Sequence, residues 1–355
     1  MLLDQHVVKI KVIGVGGAGG NAINDMIESG VTGVEYIAAN TDAQDLARSL
    51  ADIRLQLGEK LTEGLGAGAN PEIGRQSAEE SIEQIKKLME ETKLLFITAG
   101  MGGGTGTGAA PVIAKAAKEM GILTVAVVTR PFEMEGKKKE RNANNGIEEL
   151  KKVVDSLVVI PNEKLFELPD KNITFMNAFK EANNILKIGI KGIADLMLVS
   201  GYINLDFADI KATLSESGVA VLGFGEGEGE NKAVKATEKA LESPLLEKSI
   251  MGASKLLINI IVSPDFQLAD SKLISNMVAE AAGKNSQEDV MFGVVMDETL
   301  EDKVQVTIIA NGFDKDSDSS ETFINVEDKN MEDLSNQRKE EKEATLDVPP
   351  FLRNK

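Results

Sequence analysis

An apolar run that leads into a dense glycine loop constrains this chain most. Residues 94–110 read LLFITAGMGGGTGTGAA, and residues 102–108 hold five glycines and two threonines. Glycine costs backbone entropy, so a loop that keeps so many needs positive φ angles or bare backbone against a ligand. The small residues that follow predict a helix with Pro111 in its first turn. Strand, glycine loop and helix N-terminus together favour phosphate binding through backbone N–H groups over a plain structural turn.

Charge and residue usage exclude several classes of function. The 57 acidic residues outnumber the 39 basic ones, for a net charge of −18, so neither nucleic acid nor an anionic lipid surface is an expected partner. The chain has no cysteine, and its one histidine, His6, argues against histidine-based metal or triad chemistry. No apolar run is long enough for a membrane span and no secretory signal is recognisable, so we expect a cytosolic protein without direct membrane insertion.

The order of predicted elements indicates two folded units and a tail, as the length of 355 residues also suggests. Strands and helices alternate in the first third, which is typical of a parallel sheet covered on both faces. Residues 175–199 are apolar at helical spacing almost all round, which predicts a long helix buried between the units. A second unit with four strands and two helices spans roughly residues 209–312. Residues 313–345 have the composition of a disordered acidic linker.

A second glycine motif leaves two readings open. Residues 14–19 read GVGGAG after the first strand, which matches the dinucleotide fingerprint of a nicotinamide-dependent oxidoreductase. Against that reading, the acid expected after the second strand is displaced by Asn40-Thr41-Asp42, and a dehydrogenase has no use for the loop at 102–108. Two phosphate-binding loops on neighbouring strands suit a nucleoside triphosphate better. No P-loop lysine motif exists, so backbone amides, helix dipoles and a cation such as Mg²⁺ must meet the phosphate charge.

Five motifs in a fixed order carry a family resemblance. They are KVIGVGGAGGNA, GMGGGTGTG, TRPFEMEG, NLDFADIK and the terminal LDVPPFLR. With them the chain resembles the FtsZ family of tubulin-like bacterial cell-division GTPases. The resemblance implies an α/β fold in which a Rossmann-like GTPase domain (1–172) is joined by a central helix and loop (173–203) to a smaller α+β domain (204–312). The acidic linker (313–345) and a partner-binding peptide (346–355) would follow.

The resemblance also implies a site for GTP and GDP. The γ-phosphate would lie at Ala67 and Gly68, the ribose at Glu135, and the ribose and base at Asn162, Phe179 and Asn183. Without the resemblance, Phe179 reads as a core residue and Glu135 as a solvated acid. Lys139 stands where many members have a phosphate-binding arginine and keeps the charge without the bidentate fork. The implied nucleotide-binding residues are Gly17, Ala18, Gly19, Gly20, Asn21, Ala67, Gly68, Gly104, Thr105, Gly106, Glu135, Lys139, Asn162, Phe179 and Asn183.

Hydrolysis is assigned by the resemblance to a neighbouring molecule. Asn204, Asp206 and Asp209 form a loop that, in FtsZ-like proteins, enters the nucleotide site of the next subunit in a head-to-tail filament. The two aspartates would polarise the attacking water and help to hold Mg²⁺, and Asn204 would line the γ-phosphate. From the residues alone, Asp206 reads equally well as a helix N-cap. A tubulin-like scaffold that does not hydrolyse GTP therefore stays open as an alternative.

The end of the chain resembles a docking peptide. Prolines and apolar residues are not expected in a tail that is merely solvated. Their place after an acidic spacer favours a peptide that docks into the groove of a partner protein. The resemblance implies binding to division proteins and membrane tethers, and a location at the mid-cell division ring. The implied partner-binding residues are Leu346, Asp347, Val348, Pro349, Pro350, Phe351 and Leu352.

Overall fold

A computed structural model describes residues 8–167, 174–199, 201–246, 248–283 and 290–313. Its strands form one sheet of ten in the order β3-β2-β1-β4-β5-β6-β7-β10-β8-β9. The strands are β1 (Ile10–Val15), β2 (Glu35–Asn40), β3 (Ile53–Gln56), β4 (Leu94–Gly100), β5 (Leu123–Arg130), β6 (Ser156–Pro161), β7 (Gly218–Glu228), β8 (Lys255–Val262), β9 (Val290–Met296) and β10 (Lys303–Asn311).

Strand β7 connects the two halves of the sheet. From β3 to β7 every neighbouring pair is parallel, as the alternation of strands and helices predicted. The first residues of β7, Gly218 to Ala220, pair with β6, and the rest of the strand pairs antiparallel with β10. Strand β10 continues antiparallel to β8, which pairs parallel with β9. The α+β character predicted for the second half follows from this change of direction.

Helices cover both faces of the parallel half. Helices α1 and α8 contribute to one apolar cluster, and α4 to α7 pack around a second cluster on the opposite face. The helices are α1 (Gly16–Glu28), α2 (Ala43–Ala47), α3 (Glu59–Thr62), α4 (Pro71–Glu80), α5 (Ile82–Leu88), α6 (Thr105–Glu119), α7 (Lys137–Lys151), α8 (Phe175–Leu198), α9 (Phe207–Leu214), α10 (Lys232–Leu241) and α11 (Leu268–Ala281).

The long central helix was correctly predicted. Helix α8 has 24 residues and contacts β5 and β6 of the parallel half as well as β8, β9 and β10 of the other half. Its residues Leu186, Ile190 and Ile193 are almost completely buried in the cluster shared with α1. Burial on nearly all sides explains why the apolar pattern of this segment is not confined to one stripe. Among the described residues, no helix is long and apolar enough to cross a bilayer.

Candidate functional site

A cavity of about 240 Å³ opens at the carboxyl ends of β1, β4 and β5. Ligands of open parallel sheets bind at this edge, because the loops that leave neighbouring strands converge there. The cavity brings together ten of the residues implied by the resemblance. These are Gly17, Ala18, Gly104, Thr105, Gly106, Glu135, Lys139, Asn162, Phe179 and Asn183.

Most glycines of the loop are required because neighbouring atoms leave no room for a Cβ, and not because the backbone adopts a positive φ. Of the five, Gly102 alone has a positive φ, at 108°, so of the two expected reasons for glycine, positive φ applies to Gly102 only. A Cβ at Gly106 would lie 2.8 Å from the carbonyl oxygen of Gly100, and one at Gly108 would lie 1.9 Å from that of Pro71. Gly103 differs, because it lines the cavity and has open space where a Cβ would stand. At Gly103, therefore, bare backbone faces the cavity.

Two helix N-termini are open at this edge. Helices α1 and α6 begin at Gly16 and Thr105, which both line the cavity, and neither helix has a side-chain cap or an acidic residue in its first turn. Their first N–H groups and the positive ends of both helix dipoles are thus available to an anion. Helix α6 begins earlier than predicted, so Pro111 lies inside the helix and not in its first turn. The early start is what places the N–H groups of Thr105 and Gly106 beside the cavity.

Glu135 and Lys139 form an ion pair on the cavity wall. The Lys139 ammonium donates to Glu135 Oε2 at 2.8 Å, and the backbone N–H of Phe132 donates to Glu135 Oε1 at 2.9 Å. These contacts hold the Glu135 side chain in place, and its carboxylate remains able to accept from a sugar hydroxyl. Glu135 is therefore a fixed wall residue, not the freely solvated acid that it resembles in the sequence.

Aromatic and amide groups line the far side of the cavity. Phe179 is 37% exposed and meets buried Phe132 edge to face, with ring centroids 5.4 Å apart. A core phenylalanine would be buried, so this exposure favours a stacking surface for a planar ligand. Asn162 is 5% exposed, and its Oδ1 has no hydrogen-bond partner among the described residues. A buried acceptor without a donor is costly, and a ligand hydroxyl or N–H would satisfy it.

Five implied residues do not line this cavity. Gly20 and Asn21 line an adjacent cavity of about 380 Å³, and Gly19 packs against Gly14 and the carbonyl oxygen of Thr98. Ala67 is buried beneath the loop, where a Cβ at Gly104 would lie 2.8 Å from its own Cβ. Gly68 is exposed with a φ of 57°. Gly19 thus allows α1 to pack closely on β1 and β4, and Ala67 supports the glycine loop from behind.

The loop at 204–209 lies at the opposite edge of the sheet. Phe207 shares a cavity with Val8, Lys93 and Gly121, which stand just before β1, β4 and β5. Asp206 caps α9 by accepting from the N–H of Asp209 at 2.9 Å, and Asp209 accepts in return from the N–H of Asp206. The N-cap reading of Asp206 is therefore confirmed. Asn204 is exposed, and its Oδ1 accepts from the N–H of Gly201 at 2.8 Å.

Comparison with known proteins decides the family. The GTPase-domain model of the Tubulin/FtsZ family matches residues 9–170, and the C-terminal-domain model of the FtsZ family matches residues 218–314. The structure of an empty FtsZ dimer from M. jannaschii is 45% identical over 87% of this chain and 90% of that chain, with a TM-score of 0.83. The chain belongs to the tubulin/FtsZ family. The fold is shared by CetZ2 from Haloferax volcanii in its GTPγS-bound protofilament structure. The two chains are 21% identical, and the match covers 86% of this chain and 94% of that chain with a TM-score of 0.73.

Membership of the tubulin/FtsZ family makes the domain at the cavity a GTPase domain that binds guanine nucleotide. Sequence reasoning missed several wall residues, among them Met101, Thr129 and Pro131. Thr129 and Pro131 lie at the carboxyl end of β5, so the rule for parallel sheets could have found them. The tail peptide, Leu346 to Leu352, lies outside the described residues.

Proposed function

We propose that this chain is a GTP-hydrolysing filament protein whose subunits associate head to tail. Each active site combines the cavity of one subunit with Asn204, Asp206 and Asp209 of the next. The filament acts in the cytoplasm as the scaffold ring of cell division. One observation carries the proposal: the nucleotide cavity and the 204–209 loop lie at opposite ends of the same strands.

This separation prevents a single chain from completing its own site. Strand β1 has six residues and lies between the two edges, a span of about 20 Å. Asp206 and Asp209 are fixed at the start of α9 by their mutual hydrogen bonds, and the N–H of Tyr202 donates to the carbonyl oxygen of Val294 on β9 at 3.0 Å. A second molecule can present the same loop to the cavity. Such a contact joins two different surfaces and repeats without closing, so it produces filaments.

The lining of the cavity suits the phosphates, the ribose and the base of GTP. The N-termini of α1 and α6 and the Lys139 ammonium meet the phosphates. Glu135 and Asn162 face the ribose, and Phe179 and Asn183 face the base. Phe179 and Asn183 are four residues apart on α8, so the ring and the amide share one helix face.

The 204–209 loop supplies the groups that the cavity lacks. Hydrolysis requires a water positioned in line with the γ-phosphorus, and breaking the bond to the β–γ bridging oxygen yields GDP and phosphate. Asp206 and Asp209 of the neighbouring subunit orient that water, and Asn204 contacts the γ-phosphate. Among the described residues, no three acidic or histidine side chains could hold a metal ion together. The carboxylates of Asp206 and Asp209, together with phosphate oxygens and water, do suit Mg²⁺. When bound, the ion would neutralise the charge of the phosphates.

Assembly and partner binding follow from the same arrangement. Loss of the γ-phosphate removes a group that lies between two subunits, so hydrolysis weakens the contact and favours disassembly. The peptide from Leu346 to Leu352 binds division proteins and membrane tethers, a role supported by its resemblance to the family's terminal motif.

A titration of GTPase activity against protein concentration tests the proposal. We expect phosphate release per molecule to rise steeply above a threshold concentration, because the site requires two subunits. The variant Asp209→Ala should bind GTP with unchanged affinity and release no phosphate at any concentration. A specific rate that stays constant on dilution would contradict the shared site, and loss of GTP binding in Asp209→Ala would show that this loop has another role.

A further inference from the structure

Asp25 determines which end of the Asn183 amide faces the cavity. Asp25 lies on α1 and Asn183 on α8, and the Asn183 Nδ2 atom donates to Asp25 Oδ2 at 2.7 Å. Nitrogen and oxygen of a carboxamide are ordinarily hard to tell apart from shape alone. Here the chemistry decides, because an ionised carboxylate has no proton to donate and can be met only by the nitrogen. With its nitrogen held at Asp25, the amide cannot turn over, so its oxygen is the acceptor that it offers to a ligand, beside its second N–H donor.

We propose that Asp25 is the positioning residue for base recognition, in that it holds the Asn183 oxygen ready to accept hydrogen bonds from guanine. This inference rests on the proposed function, since it concerns the base of the same GTP. Asn183 lines the cavity one helical turn beyond Phe179, the ring on which the base stacks. Guanine presents two donors on one edge, its ring N–H and its exocyclic amino group. Adenine places an unprotonated ring nitrogen there, and xanthine replaces the amino group by a carbonyl oxygen, so a fixed acceptor disfavours both.

The packing of α1 against α8 does not depend on Asp25. Ala22 and Met26 of α1 are buried in the same apolar cluster as Ala182 and Leu186 of α8. A second polar contact between the helices lies one turn further from the cavity, where the Lys187 ammonium donates to Ser29 Oγ at 3.3 Å. The Asp25 contact can therefore be removed with the helices still joined, and the Ser29 contact provides a matched control.

The test compares the affinities of full-length variants for GTP, ATP and xanthosine triphosphate by displacement of a fluorescent GTP analogue. In Asp25→Asn the new amide can donate or accept, so Asn183 is free to turn its nitrogen towards the base. We expect the preference for GTP over xanthosine triphosphate to fall about tenfold. Ser29→Ala should keep the wild-type preference. Because ratios are measured on one preparation, a partly unfolded sample does not alter them.

A double variant provides the rescue. In Asp25→Asn with Asn183→Asp, the Asn at position 25 donates to the Asp at position 183, whose carboxylate offers only acceptors, and the preference for GTP should return. An unchanged preference in Asp25→Asn, or failure of the double variant to recover it, overturns the role of Asp25 while the proposed function stands. A wild-type chain that does not prefer GTP to ATP overturns the proposed function itself, and this inference with it.

Discussion

The carboxyl and amino edges of the parallel sheet are built in opposite ways. At the carboxyl edge the functional groups are mainly backbone N–H groups, and glycines such as Gly106 and Gly108 are held by neighbours that leave no room for a Cβ. At the amino edge the candidate groups are side chains, with Asn204 and Asp206 both exposed. The backbone groups that would bind the nucleotide are therefore positioned by the packing of the fold, whereas the side chains proposed for hydrolysis lie on an exposed surface. This difference is what a site divided between two molecules requires.

The capping box at the amino edge holds the two candidate carboxylates in place and occupies only one oxygen of each. Asp206 accepts through Oδ1 and Asp209 through Oδ2, so each carboxylate retains a second oxygen. The reciprocal contacts also fix the start of α9. A water or a cation brought by the neighbouring nucleotide would thus meet two oriented acceptors.

The largest effect is expected from a change at the carboxyl edge. Gly103 lines the cavity, and a Cβ added there meets no atom within 4 Å. Gly103→Glu should therefore fold normally but place a negative charge beside the phosphates, which we expect to weaken GTP binding roughly a hundredfold. Equilibrium binding measures the loss, and Gly103→Ala is the matched control with near wild-type affinity. Equal loss in both variants would indicate a backbone effect and contradict the charge argument.

Mixing variants of the two edges tests the comparison most directly. Gly103→Glu has an intact 204–209 loop and Asp209→Ala has an intact cavity, so each should be inactive alone at a GTP concentration too low to fill the weakened Gly103→Glu site. In a mixture, an Asp209→Ala subunit that binds GTP can receive the aspartates of a Gly103→Glu neighbour. We expect phosphate release to recover to a substantial fraction of the wild-type rate. A mixture as inactive as its components would mean that both edges act within one molecule.

A smaller effect is expected at Lys139. Its ammonium is the positive side chain of the cavity wall and is already held close by Glu135. Lys139→Ala should weaken GTP binding about tenfold, because a charge-assisted contact to phosphate is lost. Lys139→Arg keeps the charge and adds a planar fork, so its affinity should equal or exceed that of the wild type. Binding measured at two salt concentrations checks the electrostatic origin, and an arginine variant as weak as the alanine variant would refute it.

The smallest effect concerns stability near the amino edge. Burial, assisted by the nearby Asp52 carboxylate, raises the pKa of Tyr36 from 10.0 to about 12. The folded state favours the neutral phenol, whose hydroxyl donates to the carbonyl oxygen of Val31 at 3.0 Å. This contribution is complete below pH 10 and is lost as the pH rises towards 12.

Denaturant unfolding of Tyr36→Phe and wild type as a function of pH measures that contribution. Near neutral pH the variant should be about 1 kcal/mol less stable, since it lacks the hydrogen bond. Above pH 10 the difference should shrink and then reverse in sign, because the wild type loses stability as its phenol ionises and the phenylalanine variant does not. A constant difference up to pH 12 would show that the phenol does not ionise in this range.

Local patterns in the sequence predicted the binding edge well, and contacts between distant segments explain what was missed. The two glycine loops are short-range signals and indicated a phosphate site at this edge, whereas Phe179 and Asn183 were assigned to the base by the family resemblance. The packing role of Gly108 depends on Pro71, and the orientation of Asn183 depends on Asp25, 158 positions away in the chain. No local periodicity reports such pairs, because only the folded sheet and the packing of α1 against α8 bring them together.

The strand shared by the two halves has a mechanical consequence for the proposed filament. Tension along the polymer enters each subunit at one edge of the sheet and leaves at the other, so it acts nearly parallel to the strands. Where β7 passes from β6 to β10, the ladder bonds run across the direction of pull. Bonds loaded in shear share the force and must fail together, whereas bonds pulled open from one end fail singly. In the proposed filament, the subunit would thus be oriented so that its sheet resists stretching in its strongest direction.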